Sequence, residues 1–370
     1  MSSAQVQEFR PQVTEGAVQD VAQCLGAAKT FLGESLELMM QCYDGEAAQN
    51  SRLSAVRTDV AKSVLLYRDL HLALTKEVVS DMKQVFSIYE ALSAEDFKGS
   101  IADIAGEVAD HAKNARALGE LNVHLLQEME GHRRNAVEAA ATLQADYVET
   151  DQKKLLVHQK TEEGVEHHSE RVALYENAKN ANLLLGAAAG VLTLGATAPV
   201  TYVLHEAAKY KQTEHEDSKS FVRKEGDEQE QILSREGEMA RVAKDKINEQ
   251  LIVALSKFTD AIRKVSGFFN ILKSDVESFA DLAEKGKKNE MMKIHYIMMK
   301  KSCGTITNSC NEYLQYDPEA RAKLGQLARL ECDGNVGLDY ARQWYQKHKG
   351  EYNLAIKDGR VTVEVQALLK

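Results

Sequence analysis

The sequence predicts an all-α protein: an elongated bundle of four to five long helices, with an apolar hairpin at its head and a small C-terminal β-hairpin. Two observations carry this fold class. Prolines occur only at positions 11, 199 and 318, so long stretches contain no helix breaker. Apolar residues recur at spacings of three and four over most of the chain, which is the period of one helix face. Because a helix rises about 1.5 Å per residue, runs of roughly forty to eighty residues predict a rod of roughly 60 to 120 Å.

Amphipathic stripes define the helices of the predicted bundle. They cover residues 18–39, 53–92, 101–147 and 251–279, and residues 291–299 suggest a further helix. Between the second and third stripes, Ser93 followed by Asp96 predicts an N-cap and a chain reversal, with Gly99-Ser100 as an alternative start.

The C-terminal stretch has a different pattern. Residues 354–365 alternate between β-forming and other residues around Asp358-Gly359, which predicts a hairpin within residues 351–370. A frayed terminal helix is the alternative. The predicted division is therefore a bundle of residues 1–160 and 231–350, a neck and head of residues 161–230, and a C-terminal hairpin or tail of residues 351–370.

The most informative segment is the uncharged run 180–204, NANLLLGAAAGVLTLGATAPVTYVL, between two charged arms. As one helix it would be about 36 Å long, enough to cross a hydrocarbon core of about 30 Å; as a hairpin broken between Gly195 and Pro199, each half would reach about 18 Å. Glycine and proline favour the hairpin. Its nine Leu and Val side chains favour the bilayer by roughly 3 to 5 kcal/mol, which suits conditional insertion.

The residues predicted to enter a membrane belong to this apolar segment. They are Leu183, Leu184, Leu185, Gly186, Ala187, Ala188, Ala189, Gly190, Val191, Leu192, Leu194, Gly195, Pro199, Val200, Tyr202, Val203 and Leu204. Two other interpretations remain: a buried core hairpin that never meets lipid, and an ordinary transmembrane anchor.

Charge and motifs exclude several function classes. A net charge of −10 with mixed signs argues against a nucleic-acid surface and against electrostatic attraction to anionic lipid. Five scattered cysteines without CxxC spacing predict reduced thiols rather than disulfides or zinc. The sequence has no P-loop, GxGxxG, HExxH or nucleophile elbow, so we predict no enzyme, cofactor or metal site. His167-His168 is interpreted as a solvated helix face.

The organisation of the chain, an all-helical rod with an apolar hairpin between two polar helices, resembles the α-helical pore-forming toxins of the cytolysin A and haemolysin BL class. The resemblance implies a soluble monomer whose hairpin inserts into the target-cell bilayer as copies assemble into a pore, alone or with companion toxin components. Haemolysis would follow. No classical signal peptide is visible at the N-terminus, so we expect secretion by a non-classical route or release from the cytoplasm.

The same resemblance implies a role for the N-terminal helix, residues 14–41, as a lining of the pore. Packing into the core is the alternative for its apolar stripe. The candidate lining residues are Val18, Val21, Leu25, Leu32 and Leu36. For the whole chain, the alternatives to a pore-forming protein are a non-lytic helical adaptor or translocator that docks a partner through the hairpin, and a single-anchor membrane protein.

Overall fold

The computed structural model describes residues 13–180, 212–288, 293–331 and 335–348. Within these ranges the chain forms helices joined by short turns and contains no strand. The all-α fold class and its long helices are therefore confirmed. The predicted hairpins at 180–204 and 351–370 lie outside the described residues, except for Asn180, the last residue of a helix.

The helices follow one another with few interruptions, and two of the junctions are single π-helical turns, Tyr67–His71 and Lys246–Leu251. The α-helices are α1 Val13–Gln41, α2 Ser51–Leu66, α3 Leu72–Ala91, α4 Ala94–Gly99, α5 Ile101–Asn180, α6 Gln212–Asp245, α7 Ile252–Lys288, α8 Lys293–Glu331 and α9 Asn335–His348, with a 3-10 turn at Glu46–Gln49 after α1.

The chain divides into two compact units. The first comprises Met1–Ala139 and Asp245–Lys370, and the second comprises Ala140–Lys244. Helix α5 contributes to both units, and α6 lies almost wholly in the second. The predicted domain boundaries at residues 160, 230 and 350 remain a prediction.

Helix α1 packs between α7 and α8 in the first unit. The Ser35 hydroxyl donates a hydrogen bond of 2.8 Å to the carbonyl of Ala254, and Lys257 forms an ion pair with Glu34. These contacts show that α1 and α7 run antiparallel. The apolar side chains of α1 close one side of a core whose aromatic centre includes Phe268 stacked on Tyr313, with ring centroids 5.2 Å apart.

Helices α2 and α3 form one run that matches the predicted stripe at 53–92. The predicted restart also occurs: the Ser93 hydroxyl accepts a hydrogen bond from the Asp96 backbone N–H at 3.2 Å and caps α4. Helix α5 then returns antiparallel to α3, because the Tyr89 hydroxyl donates to Glu107 at 2.6 Å and Phe86 contacts His111. The chain reversal is therefore confirmed.

A polar cluster ties α9 to the rest of the first unit. Glu128 of α5 accepts hydrogen bonds from Ser63 of α2 at 2.6 Å and from Tyr340 of α9 at 2.9 Å, and His132 contacts Ser63 at 2.8 Å. Burial alone would raise the pKa of Glu128, but hydrogen bonds from His132, Ser63 and Tyr340 lower it to about 2. The cluster therefore holds an ionised carboxylate that fixes three helices together.

Candidate functional site: the arm pair and its connecting segment

The second unit is a pair of helices, here called the arm pair: residues 140–180 of α5 and residues 212–244 of α6. Near one end of the pair, Lys244 donates to Gln144 at 3.0 Å, and farther along, His158 contacts Glu230 at 2.8 Å. Residue numbers rise on one helix as they fall on the other. The two helices of the arm pair therefore run antiparallel.

The two arm helices approach each other closely at one glycine, Gly226. A Cβ at Gly226 would lie 2.3 Å from Oγ1 of Thr161, and one at Gly164 would lie 3.4 Å from Val222. A Cβ at Gly237 would lie 3.5 Å from Thr150. The approach at Gly226 is therefore too close for a side chain, whereas the distances at Gly164 and Gly237 are those of ordinary van der Waals contact.

The arm pair buries little large apolar surface. Among its described side chains, the buried hydrophobic residues are Ala140, Leu143, Val165, Ala240 and Ala243. Its large apolar residues that remain exposed are Val148, Leu155, Leu156, Phe221 and Ile232. Because hydrophobic stabilisation scales with the apolar area removed from water, this pairing contributes less per residue than the aromatic core of the first unit.

The antiparallel register determines where the connecting segment is attached. Helix α5 ends at Asn180 and α6 begins at Gln212, so both attachment points lie at the same end of the arm pair. The predicted membrane-inserting residues, 183–204, all belong to the connecting segment 181–211 and lie outside the described residues. In the part of the chain that the structure describes, no helix combines the length and the apolarity needed to cross a bilayer.

The candidate pore-lining residues lie on α1. Val21, Leu25, Leu32 and Leu36 are each at most 4% exposed and belong to the core of the first unit. Val18 lies within the helix, but its side chain is outside the described part of the structure. In this conformation the four described side chains face protein, so a lining role requires α1 to leave its contacts with α7 and α8.

The polar cluster around Glu128 was not identified as a unit from the sequence, because Ser63, Glu128 and Tyr340 are far apart in the chain. The available signal was His132, a polar residue within the apolar stripe of α5. The Ser63 side chain is fully buried and its hydroxyl donates a hydrogen bond to Glu128, so the cluster stabilises the fold. Among the described residues, no group of three or more His, Cys, Asp or Glu side chains could hold a metal ion.

Comparisons with known proteins gave matches only among solved structures. No protein-family model matches the chain, and a search of curated proteins also gave no match. The chain is similar to the SmhB pore of the tripartite α-pore-forming toxin Smh from Serratia marcescens, with a TM-score of 0.47 and 10% sequence identity. That similarity covers 78% of this chain and 98% of that chain.

Two structures from Aeromonas hydrophila are also similar. The first is the AhlB pore of the tripartite α-pore-forming toxin AHL, with a TM-score of 0.47 and 11% identity over 80% of this chain and 99% of that chain. The second is the AhlB pre-pore of the same toxin, with a TM-score of 0.46 and 11% identity over 85% of this chain and 99% of that chain. The predicted resemblance to α-helical pore-forming toxins is thus confirmed as a distant structural similarity, and TM-scores below 0.5 assign no function.

Proposed function

We propose that this chain is a pore-forming cytolysin or toxin component that acts on membranes without catalysis. The observation that carries the proposal is the arm pair. Two antiparallel helices have their ends on the same side, so the segment that joins them, with its uncharged residues 181–204, is attached at a single end of the pair. The chain would be soluble at first and reach the target-cell membrane later.

The energetics favour conditional insertion of this segment. Its apolar side chains gain roughly 3 to 5 kcal/mol on entering lipid, before the polar and turn residues subtract from that gain. A gain of this size shifts a population between two states but does not anchor the chain permanently. Additional free energy must come from contacts between copies, so we propose a homo-oligomer, alone or with companion proteins.

The N-terminal helix must follow the connecting segment rather than lead it. Fully burying one large apolar side chain contributes about 1.5 to 3 kcal/mol, so exposing Val21, Leu25, Leu32 and Leu36 costs at least about 6 kcal/mol. That cost exceeds the gain from inserting the connecting segment. We therefore propose that α1 lines a pore only after contacts between copies have contributed additional free energy.

Lipid preference follows from charge. With a net charge of −10, the protein gains no general attraction to anionic headgroups, so capture by the membrane is hydrophobic. Permeabilisation of neutral phosphatidylcholine vesicles should equal or exceed that of vesicles containing phosphatidylserine at low ionic strength.

Dye release from neutral liposomes tests the proposal. The purified protein should release an encapsulated dye, and the double variant Leu184→Asp/Leu194→Asp should lose release at least tenfold, because charged residues at the centre of a bilayer are costly. The matched control is Ile88→Asp/Leu330→Asp, which places the same charges at two exposed apolar positions of the first unit. The control should release dye at the parent rate.

The outcomes separate the proposed function from its alternatives. A parent protein that binds neither vesicles nor lipid but captures a defined protein through residues 181–204 would be an adaptor or translocator. A protein that requires detergent from the start would be a membrane-anchored one. Full release by Leu184→Asp/Leu194→Asp, with unchanged helical circular dichroism, would overturn the role of the connecting segment.

A further inference from the structure

Each arm helix carries a pair of exposed or partly exposed large apolar side chains seven residues apart. Leu155 is 64% exposed, Val148 is 43% exposed and Ile232 is 58% exposed, while Met239 is partly exposed. Val148 and Leu155 are seven residues apart on α5, and Ile232 and Met239 are seven residues apart on α6. Since seven residues make about two helical turns, each pair forms a stripe on one face of its helix.

The two stripes lie at the same level along the arm pair. Thr161 sits beside Gly226, and moving six residues along each helix from this contact brings Leu155 level with Ile232. In the same way, Thr150 sits beside Gly237, and two further residues bring Val148 level with Met239. The stripes therefore match in height along the arms.

The stripes nevertheless point away from each other. At about 100° per residue, the α5 stripe lies roughly 130 to 150° around its helix from Thr150 and Thr161, which face α6. The α6 stripe lies roughly 130 to 150° from Gly226 and Gly237, but in the opposite rotational sense. For antiparallel helices, opposite senses place the two stripes on opposite sides of the pair, so they cannot contact each other within one copy.

We infer that the two stripes dock onto each other between neighbouring copies of this chain, with Val148 and Leu155 of one copy packing against Ile232 and Met239 of the next. Two different surfaces on opposite sides of one molecule make a heterologous, head-to-tail contact. Because the stripes are level, the contact requires no shift along the arms. Repetition of an unshifted contact builds a row of copies side by side, and the row closes into a ring if each contact also adds a rotation.

The size of the contact explains why it needs a membrane. Two pairs of side chains bury on the order of 300 Å², whereas stable protein interfaces bury about 1,200 to 2,000 Å². The stripe contact alone therefore does not hold copies together in dilute solution, and it forms where a bilayer concentrates and aligns them. In this respect the inference rests on the proposed function.

Disulfide trapping on liposomes tests the inference. The parent for this test carries Cys24→Ser and Cys332→Ser, and the reporter adds Leu155→Cys and Ile232→Cys. The thiolate is the form that forms disulfides.

The other three native cysteines stay in place because they are buried. Burial raises the pKa of the Cys42 thiol to about 11 and that of Cys310 to about 12, and it also raises the pKa of Cys303. These thiols therefore remain protonated and shielded during mild oxidation at pH 8.

Oxidation of the reporter with liposomes should give a ladder of linked dimers, trimers and larger species, and oxidation without liposomes should leave monomers. Each single-cysteine variant should stay monomeric under both conditions. The matched control pairs Leu155→Cys with Phe221→Cys, because Phe221 is exposed at 43% but lies about 16 Å along the arm from the level of Ile232. The control should give no ladder.

Three results would overturn the inference. The reporter could give no ladder on vesicles that the parent permeabilises, or it could form a disulfide within one copy. Leu155→Cys alone could form dimers, which would indicate a symmetric contact.

Charge variants provide a second measurement. Leu155→Glu and Ile232→Lys should each reduce dye release at least tenfold, and the double variant should restore it. If the parent releases dye but the ladder or the rescue is absent, only this inference is contradicted. If the parent releases no dye, the proposed function is contradicted as well.

Discussion

The close approach of the two arm helices at Gly226 can be tested by adding one methyl group. In Gly226→Ala, the new Cβ would lie 2.3 Å from Oγ1, 2.6 Å from Cγ2 and 3.0 Å from Cβ of Thr161, where ordinary contact begins at 3.4 Å. Thr161 cannot turn aside freely, because its hydroxyl donates a 2.8 Å hydrogen bond to the carbonyl of Val157. The helices must therefore separate by about 1 Å, or that hydrogen bond must break.

The magnitude follows from two opposing effects. Forcing a methyl group into a packed contact costs about 1 to 3 kcal/mol, and replacing glycine by alanine inside a helix gains about 1 kcal/mol. The net effect of Gly226→Ala is a destabilisation of the arm pair by about 0 to 2 kcal/mol. The matched control is Gly237→Ala in the same arm helix, where a Cβ meets Thr150 at 3.5 Å, an ordinary contact, and it should show only the gain. The two variants should differ by about 1 to 3 kcal/mol.

Amide hydrogen exchange measures this difference locally. Residues 144–164 and 222–244 of Gly226→Ala should exchange roughly 5- to 150-fold faster than the same residues of Gly237→Ala, the range that corresponds to about 1 to 3 kcal/mol. Adding Thr161→Ala, which removes Oγ1 and Cγ2, should recover most of the protection. If Gly226→Ala protects the arms as well as Gly237→Ala does, the inferred register of the arm pair is wrong.

Two buried titratable groups give opposite pH dependences of stability. Burial, only partly offset by a hydrogen bond to Asn122, lowers the pKa of His71 to about 4. The free energy of unfolding therefore falls by up to about 3 kcal/mol as the pH falls from 6.5 to 4. His71→Gln should flatten that decline when stability is measured by urea titration. A His71→Gln profile parallel to the parent would contradict this explanation. Burial raises the pKa of Asp275 to about 6. The contribution of this carboxyl group to folding stability is therefore fully present below pH 3.8 and is lost as the pH rises through 6. Asp275→Asn should therefore be more stable than the parent at pH 7, by about 1 to 2 kcal/mol after allowance for solvent screening, and unchanged stability at pH 7 would count against burial as the cause.

The sequence predicted much of the helical fold because helix formation leaves a local record. The stripe of α7, including Phe258 and Phe269, and the cap at Ser93 are patterns within a few residues of each other. The helix of residues 293–331 was predicted only around residues 291–299, and it continues through Pro318, where the chain lacks one backbone donor. Packing of Tyr313 and Leu324 into the core on either side of Pro318 accounts for this continuity.

The sequence by itself determined the all-α class, the position of the uncharged segment between charged arms, and the helical faces, because each depends on residue type and local spacing. Only the tertiary structure decided which residues meet. The contact of Gly226 with Thr161, the hydrogen bond from Tyr340 to Glu128, and the opposite directions of the Leu155 and Ile232 stripes join residues that are far apart in the chain. Register between two helices depends on how their side chains interlock, and no periodicity along one helix records that.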